Sequence, residues 1–167
     1  MEIRKITPDD WQAYRNLRLA ALQSIDAQAF GGSYEKESIR SEDEWRGRFD
    51  GSRERIFYGC FLNEELISVA GVYLNVDEDK FKNEWIIVGV YTNPKFRGQG
   101  ISFRTIETVL EELRDKGVKK VILMVNTKQK SAMRVYEKLG FKIVELIKDE
   151  VMGDGQIHDE YLMELYL

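Results

Sequence analysis

Residues 97–102 read Arg97-Gly98-Gln99-Gly100-Ile101-Ser102, a glycine-bearing run between an apolar stretch and an amphipathic one. Without a Cβ, glycine lets the backbone bend sharply and present its N–H groups closely to a ligand. At a helix start those N–H groups lack partners within the helix, and the macrodipole favours negative charge. The chemistry on offer is anion capture. Residues 93–106 carry Lys95, Arg97 and Arg104 without an acid, and residues 127–136 carry Lys128, Lys130 and Arg134 without one, in a chain of net charge -4. Either island alone reads as solvated surface; together they point to a multiply phosphorylated ligand.

Two common phosphate-binding patterns do not fit. A P-loop needs Gly-Lys-Ser or Gly-Lys-Thr, and neither tripeptide occurs. A dinucleotide fingerprint needs a third glycine where Phe103 stands and an acid near the end of the next strand, where Asn126 stands.

The elements that must position this turn can be read on either side of it. Trp85-Ile86-Ile87-Val88-Gly89-Val90-Tyr91 is almost continuously apolar, the pattern of a strand buried on both faces. After the turn, Ile101, Phe103, Ile106, Val109, Leu110 and Leu113 recur at helical spacing as far as Gly117. A second strand is expected over Lys120 to Asn126, parallel to the first. A second helix follows over residues 130–139, with Ala132, Val135, Tyr136 and Leu139 on one face and Gly140 as its cap. Upstream, a strand at 2–6 precedes a helix capped by Thr7 with Pro8 in its first turn. Residues 24–37 read as a loop, Ser41 and Glu44 as a capping box, and 56–62 with 66–76 as a hairpin around Asn63-Glu64-Glu65. A charged connection over 77–83 leads into the central strand, and two final strands, 141–151 and 157–167, close the chain around 152–156. The expectation is a mixed α/β (α+β) fold, one domain over residues 1–167, with about six or seven strands flanked by about four helices.

Composition narrows the class. A chain of 167 residues, 43% hydrophobic and 32% charged, suits one globular domain with its own core. No apolar run is long enough to span a bilayer, and Glu2, Arg4 and Lys5 stand too early for a signal peptide, so a cytoplasmic location without a membrane partner is expected. Cys60 is the single cysteine, which excludes an internal disulfide and a thiolate metal site; no metal is expected. The net acidity argues against a nucleic-acid partner.

The pattern Arg-x-x-Gly-x-small over Arg97 to Ser102, followed by Asn126 and the block Ala132-Met133-Arg134-Val135-Tyr136-Glu137-Lys138-Leu139-Gly140-Phe141, resembles the GNAT superfamily of acetyl-CoA-dependent N-acetyltransferases. The resemblance is clear over residues 84–145 and looser at Arg15 to Leu22 and at Ala29-Phe30-Gly31. It implies that the backbone of Val90, Tyr91 and Thr92 pairs with the pantetheine arm and that the amides of Arg97, Gly98, Gln99, Gly100, Ile101 and Ser102 hold the pyrophosphate. It also implies coenzyme contacts at Asn126 and Gln129, and Tyr136 as the group that meets the departing thiolate. Spacing alone places Tyr136 as an amphipathic core residue; the motif favours the other reading. Ser102 replaces the family's usual Gly or Ala, and Gln129 stands where Asn is frequent.

Acetyl transfer to an amine also needs a proton acceptor, because a lysine-like amine with a reference pKa of ~10.4 arrives charged. Glu84, at the start of the central strand, is the leading candidate, weighed evenly against an ordinary strand-end glutamate. Tyr34 and Glu35, with Glu37, are candidates for an acceptor pocket, against a solvated-loop reading; His158 is assigned no catalytic role. The partners expected are acetyl-CoA and an amine-bearing acceptor, with a homodimer through the final strands as a further expectation. A noncatalytic acyl-CoA-binding domain and a nicotinamide-dependent oxidoreductase are the competing functions, the latter already at odds with Phe103 and Asn126.

Overall fold

The computed structural model describes residues 1–27, 32–51, 54–76, 81–151 and 156–167. Seven strands form one sheet: β1 (Glu2–Lys5), β2 (Arg55–Leu62), β3 (Glu65–Leu74), β4 (Trp85–Thr92), β5 (Lys120–Asn126), β6 (Lys142–Val151) and β7 (Ile157–Tyr166). Their order is β1-β2-β3-β4-β5-β7-β6, and every neighbouring pair is antiparallel except β4 with β5. The helices are α1 (Trp11–Leu22), α2 (Tyr34–Ser38), α3 (Glu42–Arg46), α4 (Ile101–Asp115) and α5 (Lys130–Lys138). This is the expected mixed sheet, with five α-helices among the described residues where about four were anticipated.

Alternation along the strands divides the core into two layers. Ile87, Val121, Leu123 and Met163 pack with Ile106, Val109, Leu110 and Leu113 of α4 on one face. Phe57, Phe61, Val69 and Tyr91 pack with Tyr14 and Leu17 of α1 and Trp45 of α3 on the other. Both long helices beside the central strands stop in the same way. The Gly117 N–H bonds the Arg114 carbonyl and the Val118 N–H bonds the Leu113 carbonyl; Gly140 and Phe141 repeat this with Glu137 and Tyr136. Gly117 has φ 75° and Gly140 φ 98°, the left-handed geometry that this cap requires.

The structure departs from the sequence reading in several places. Pro8–Asp10 forms a 3-10 turn ahead of α1 rather than the helix's first turn. Part of the 24–37 loop is helical, because the Ser33 hydroxyl caps α2 by accepting from the Lys36 N–H. The Ser41–Glu44 capping box is present but opens a helix of only five residues. Ala29-Phe30-Gly31, residues 77–80 of the charged connection and 152–155 of the last turn lie outside the described residues. The central strand is not buried throughout: Val88, Gly89 and Val90 are half-buried. Among the described residues no helix is long and apolar enough to cross a membrane.

Candidate active site

The partial exposure of β4 has a geometric cause. On one side, Val69 pairs with Tyr91 and Gly71 with Val88, so Gly89 and Val90 together face Ala70 in a β-bulge. Gly89 has φ 62°, the left-handed value that a glycine bulge uses. On the other side, β4 pairs with β5 only at Trp85–Val121 and Ile86–Ile122. Beyond Ile86 the two parallel strands part, and the β4 edge from Ile87 onward has no ladder partner in β5. A cleft of about 1000 Å³ opens in the gap, lined by Val88 to Thr92 on one wall, Met124 to Asn126 on the other, the 97–102 turn and one face of α5.

The expected strand end and turn form one anchored unit. Thr92 and Ser68 hydroxyls lie 2.7 Å apart, and the Ser68 hydroxyl donates to the Tyr91 carbonyl at 3.2 Å. Asn93 Oδ1 accepts from the Lys95 N–H at 3.1 Å, which starts the 3-10 turn Pro94–Phe96. Gly98 has φ 76° and Gly100 φ 73°; a Cβ at either would meet nothing within 4 Å, so backbone conformation rather than crowding demands glycine. Gly100 is the N-cap of α4 and brings no side-chain acceptor, leaving the first N–H groups of a 15-residue helix directed at the cleft mouth. The Arg97 side chain, though partly exposed, is anchored at several points. Its Nε donates to the Thr92 carbonyl at 3.0 Å, its Nη2 reaches Asp26 at 2.6 Å, and its guanidinium lies 5.5 Å from the Tyr91 ring centre. It ties the turn to the strand end and to the segment after α1.

Across the gap, Asn126 is 3% exposed; its Oδ1 accepts from the Lys128 N–H at 2.9 Å, while its Nδ2 has no partner among the described residues. A buried amide with free donors on a cleft wall is matched by a ligand carbonyl. Gln129 is half-buried on the same wall at the start of α5. Tyr136 is 7% exposed, its ring 6.0 Å from that of Phe141, and its hydroxyl bonds to no described residue. Burial pushes its phenol above the ordinary value, so it stays protonated and able to donate. These groups suit a ligand with an anionic head at the turn, an amide-bearing arm along β4 and a reactive end below Tyr136. Of the two basic islands, Arg97 and Arg104 line the cleft, whereas Lys95, Lys128, Lys130 and Arg134 are exposed outside it and Lys138 lines it instead.

The other candidates lie elsewhere. Glu84 pairs with Lys120 at 2.7 Å where β4 and β5 are still joined, and it does not line the cleft. At about 3.3 Å per strand residue it stands on the order of 15 Å from the bulge. Tyr34 packs on the α1 side of the core, and Glu35 is exposed with its carboxylate accepting from the Ser33 hydroxyl at 2.7 Å; neither lines the cleft. Glu37 is committed to Arg18 at 2.8 Å and Arg48 at 3.6 Å in a buried ion cluster. Among the cleft residues that the sequence reading did not place in the site are Gly89 and Asp26. Gly89 was visible as a lone glycine inside a strand pattern, the usual mark of a bulge. Asp26 lies 71 residues from its partner Arg97 and carried no local signal.

Comparison with known proteins agrees with this geometry. The model of the acetyltransferase (GNAT) family matches residues 19–141. An uncharacterized N-acetyltransferase of Methanocaldococcus jannaschii is 27% identical over 147 residues, covering 87% of this chain and 62% of that protein. The thialysine N-epsilon-acetyltransferase of Bos taurus is 32% identical over 105 residues, covering 56% of this chain and 61% of that one. The chain thus spans less than two thirds of the length of these relatives. A GNAT-family acetyltransferase from Streptococcus pneumoniae superposes with TM-score 0.81 at 18% identity, covering 99% of this chain and 98% of that one. The yncA protein of Salmonella typhimurium, solved with its cofactor acetyl-CoA, superposes with TM-score 0.80 at 18% identity, covering 100% and 94%. The matched motifs hold the turn, the parted strands and Tyr136 in one contiguous stretch of sequence, and the chain belongs to the acetyltransferase (GNAT) family.

Proposed function

We propose that the protein transfers the acetyl group of acetyl-CoA to a primary amine of a small molecule or peptide. The observation that carries this reading is the cleft between β4 and β5, which has unpartnered helix N–H groups at one end and the Tyr136 hydroxyl at the other. In this reading the amides of Arg97 to Ser102 hold the pyrophosphate, with Arg97 fixing the turn rather than reacting. The backbone of Val90 to Thr92 supplies strand-like hydrogen bonds to the pantetheine arm, and Asn126 Nδ2 donates to one of its carbonyls. When bound, the coenzyme supplies an activated thioester.

Tyr136 stabilises the sulfur as it departs. A reference phenol pKa of ~10 already exceeds a thiol's ~8.5, so complete proton transfer runs uphill by ~2 kcal/mol. Burial widens that gap. Hydrogen-bond donation is therefore the role assigned to it. The test is thiol release from acetyl-CoA across a panel of amines: thialysine, spermidine, an aminoglycoside and peptides with free N-termini. Acceptor-dependent release supports the proposal. Coenzyme binding without release for any amine rejects it in favour of a noncatalytic acyl-CoA-binding domain.

A further inference from the structure

We propose that Glu160 on β7 takes the proton from the acceptor amine, an inference that rests on the acetyl-transfer reading above. Asp26 is the sole carboxylate among the described residues that line the cleft, and it is bound to Arg97. On the sheet face away from α4, the parting strands display Ile86 and Val88 of β4 and Ile122 and Met124 of β5, all apolar. Beyond Ile122, where the strands part, the first polar side chain along that face of β5 is Asn126, and its direct cross-strand partner is Glu160. Directly opposed residues in an antiparallel pair place their Cβ atoms about 5 Å apart on the same face. Asn126 lines the cleft, so the half-buried Glu160, which lies outside the cleft lining itself, stands one rung from the wall along which the acyl-bearing arm would lie.

The surroundings suit a proton acceptor. On its own strand the charged or titratable side chains of the same face are His158, Glu164 and Tyr166; on β6 they are Glu150, opposite His158, with Glu145 and Lys142 further along. Lys120 lies at the far end of β5. Burial and the neighbouring Glu150 raise the affinity of the Glu160 carboxylate for a proton, with His158 opposing. A carboxylate displaced upward toward neutrality is a better general base. The protons balance as follows. The ammonium gives one proton to Glu160; the freed lone pair forms the C–N bond to the acetyl carbon while the C–S bond breaks; the sulfur leaves with the bonding pair and gains the second nitrogen proton. Glu160 then returns its proton to solvent.

Glu160→Gln keeps the shape and removes the base. With thialysine or spermidine as acceptor, kcat/KM is expected to fall about 10²-fold at neutral pH and to recover as pH rises toward the amine's own pKa, where neutral amine no longer needs a base. Hydroxylamine is already neutral at pH 7.5, so its turnover should change less than about threefold, because no proton need be removed before attack. Glu160→Asp should recover part of the loss. The thermal upshift produced by coenzyme A should match that of the unsubstituted chain, which checks that the cleft is intact. Undiminished turnover with thialysine and spermidine, or equal losses with those amines and hydroxylamine, overturns the assignment. Failure of the unsubstituted chain to acetylate any amine sinks the acetyl-transfer reading itself.

Discussion

Replacing Tyr136 by phenylalanine removes one hydroxyl and leaves the ring against Phe141. That hydroxyl bonds to no described residue, so the loss leaves no protein group unpaired, and thermal stability should change by no more than about 2 °C. In the proposed reaction it would face a sulfur that gains charge as it leaves. A hydrogen bond to a charged group contributes about 1.5–3 kcal/mol, so kcat should fall roughly 10- to 150-fold. The stabilised charge exists only as the C–S bond breaks, so the KM for acetyl-CoA should stay within about twofold. The assay is steady-state thiol release at saturating amine, with coenzyme binding followed separately by calorimetry. Burial keeps the phenol protonated, so any alkaline limb in kcat should survive the substitution. An unchanged kcat, or a raised KM with kcat intact, would refute the thiolate-stabilising role.

Gly100→Ala forces a side chain into φ 73°, which costs about 1–2 kcal/mol. Melting should reveal a Tm loss of about 2–8 °C together with weaker coenzyme binding, whereas an unaltered Tm would show that the turn relaxes freely. Asp26→Asn weakens a partly exposed ion pair worth about 0.5–1 kcal/mol, so the KM for acetyl-CoA should rise roughly two- to fivefold with kcat unchanged. A fall in kcat instead would mean that Asp26 acts on more than the turn. The Asp10 carboxyl is held down to about 2 from 3.8, chiefly by its hydrogen bond with Arg4 and also by Thr7, against burial. Its folded value lies below its unfolded one, so its stabilisation is complete above about pH 4 and disappears as pH falls toward 2. The Tm difference between the chain and Asp10→Asn should close over that window; a constant difference would contradict it.

What could be read from the residues was what is local in the chain. The turn at Gly98 and Gly100, the helix behind it, Asn126 at a strand end and Tyr136 on a helical face each announce themselves within about ten positions. The elements beside them followed from periodicity and caps, down to the glycines that end α4 and α5. Sheet order is not local: β7 enters between β5 and β6, and only that insertion sets Glu160 across from Asn126. His158, far in sequence from both motifs, lies on the same face of β7 as Glu160. Glu84 is the converse case. It adjoins the central strand in sequence but stands at the end where that strand is still paired, with Lys120 occupying its carboxylate. The ion cluster of Arg18, Glu37 and Arg48 is likewise assembled from three separated segments, which is why Glu37 passed for loop surface.

The two-position contact between β4 and β5 has a mechanical consequence. Strands β1 to β4 and β5 to β7 are two hydrogen-bonded ribbons joined by a seam at Trp85 and Ile86; below the seam no ladder pairing joins β4 to β5, and the halves meet there through side-chain packing and the α4 connection. An amide-bearing arm laid along Val90 to Thr92 acts as a temporary eighth strand stitched into the tear. Ligand entry and sheet completion are then one event, so amide exchange along the second half of β4 should slow when the cleft fills. On the proposed function the coenzyme would complete the molecule's own hydrogen-bonded fabric, and its release would require that fabric to be unpicked.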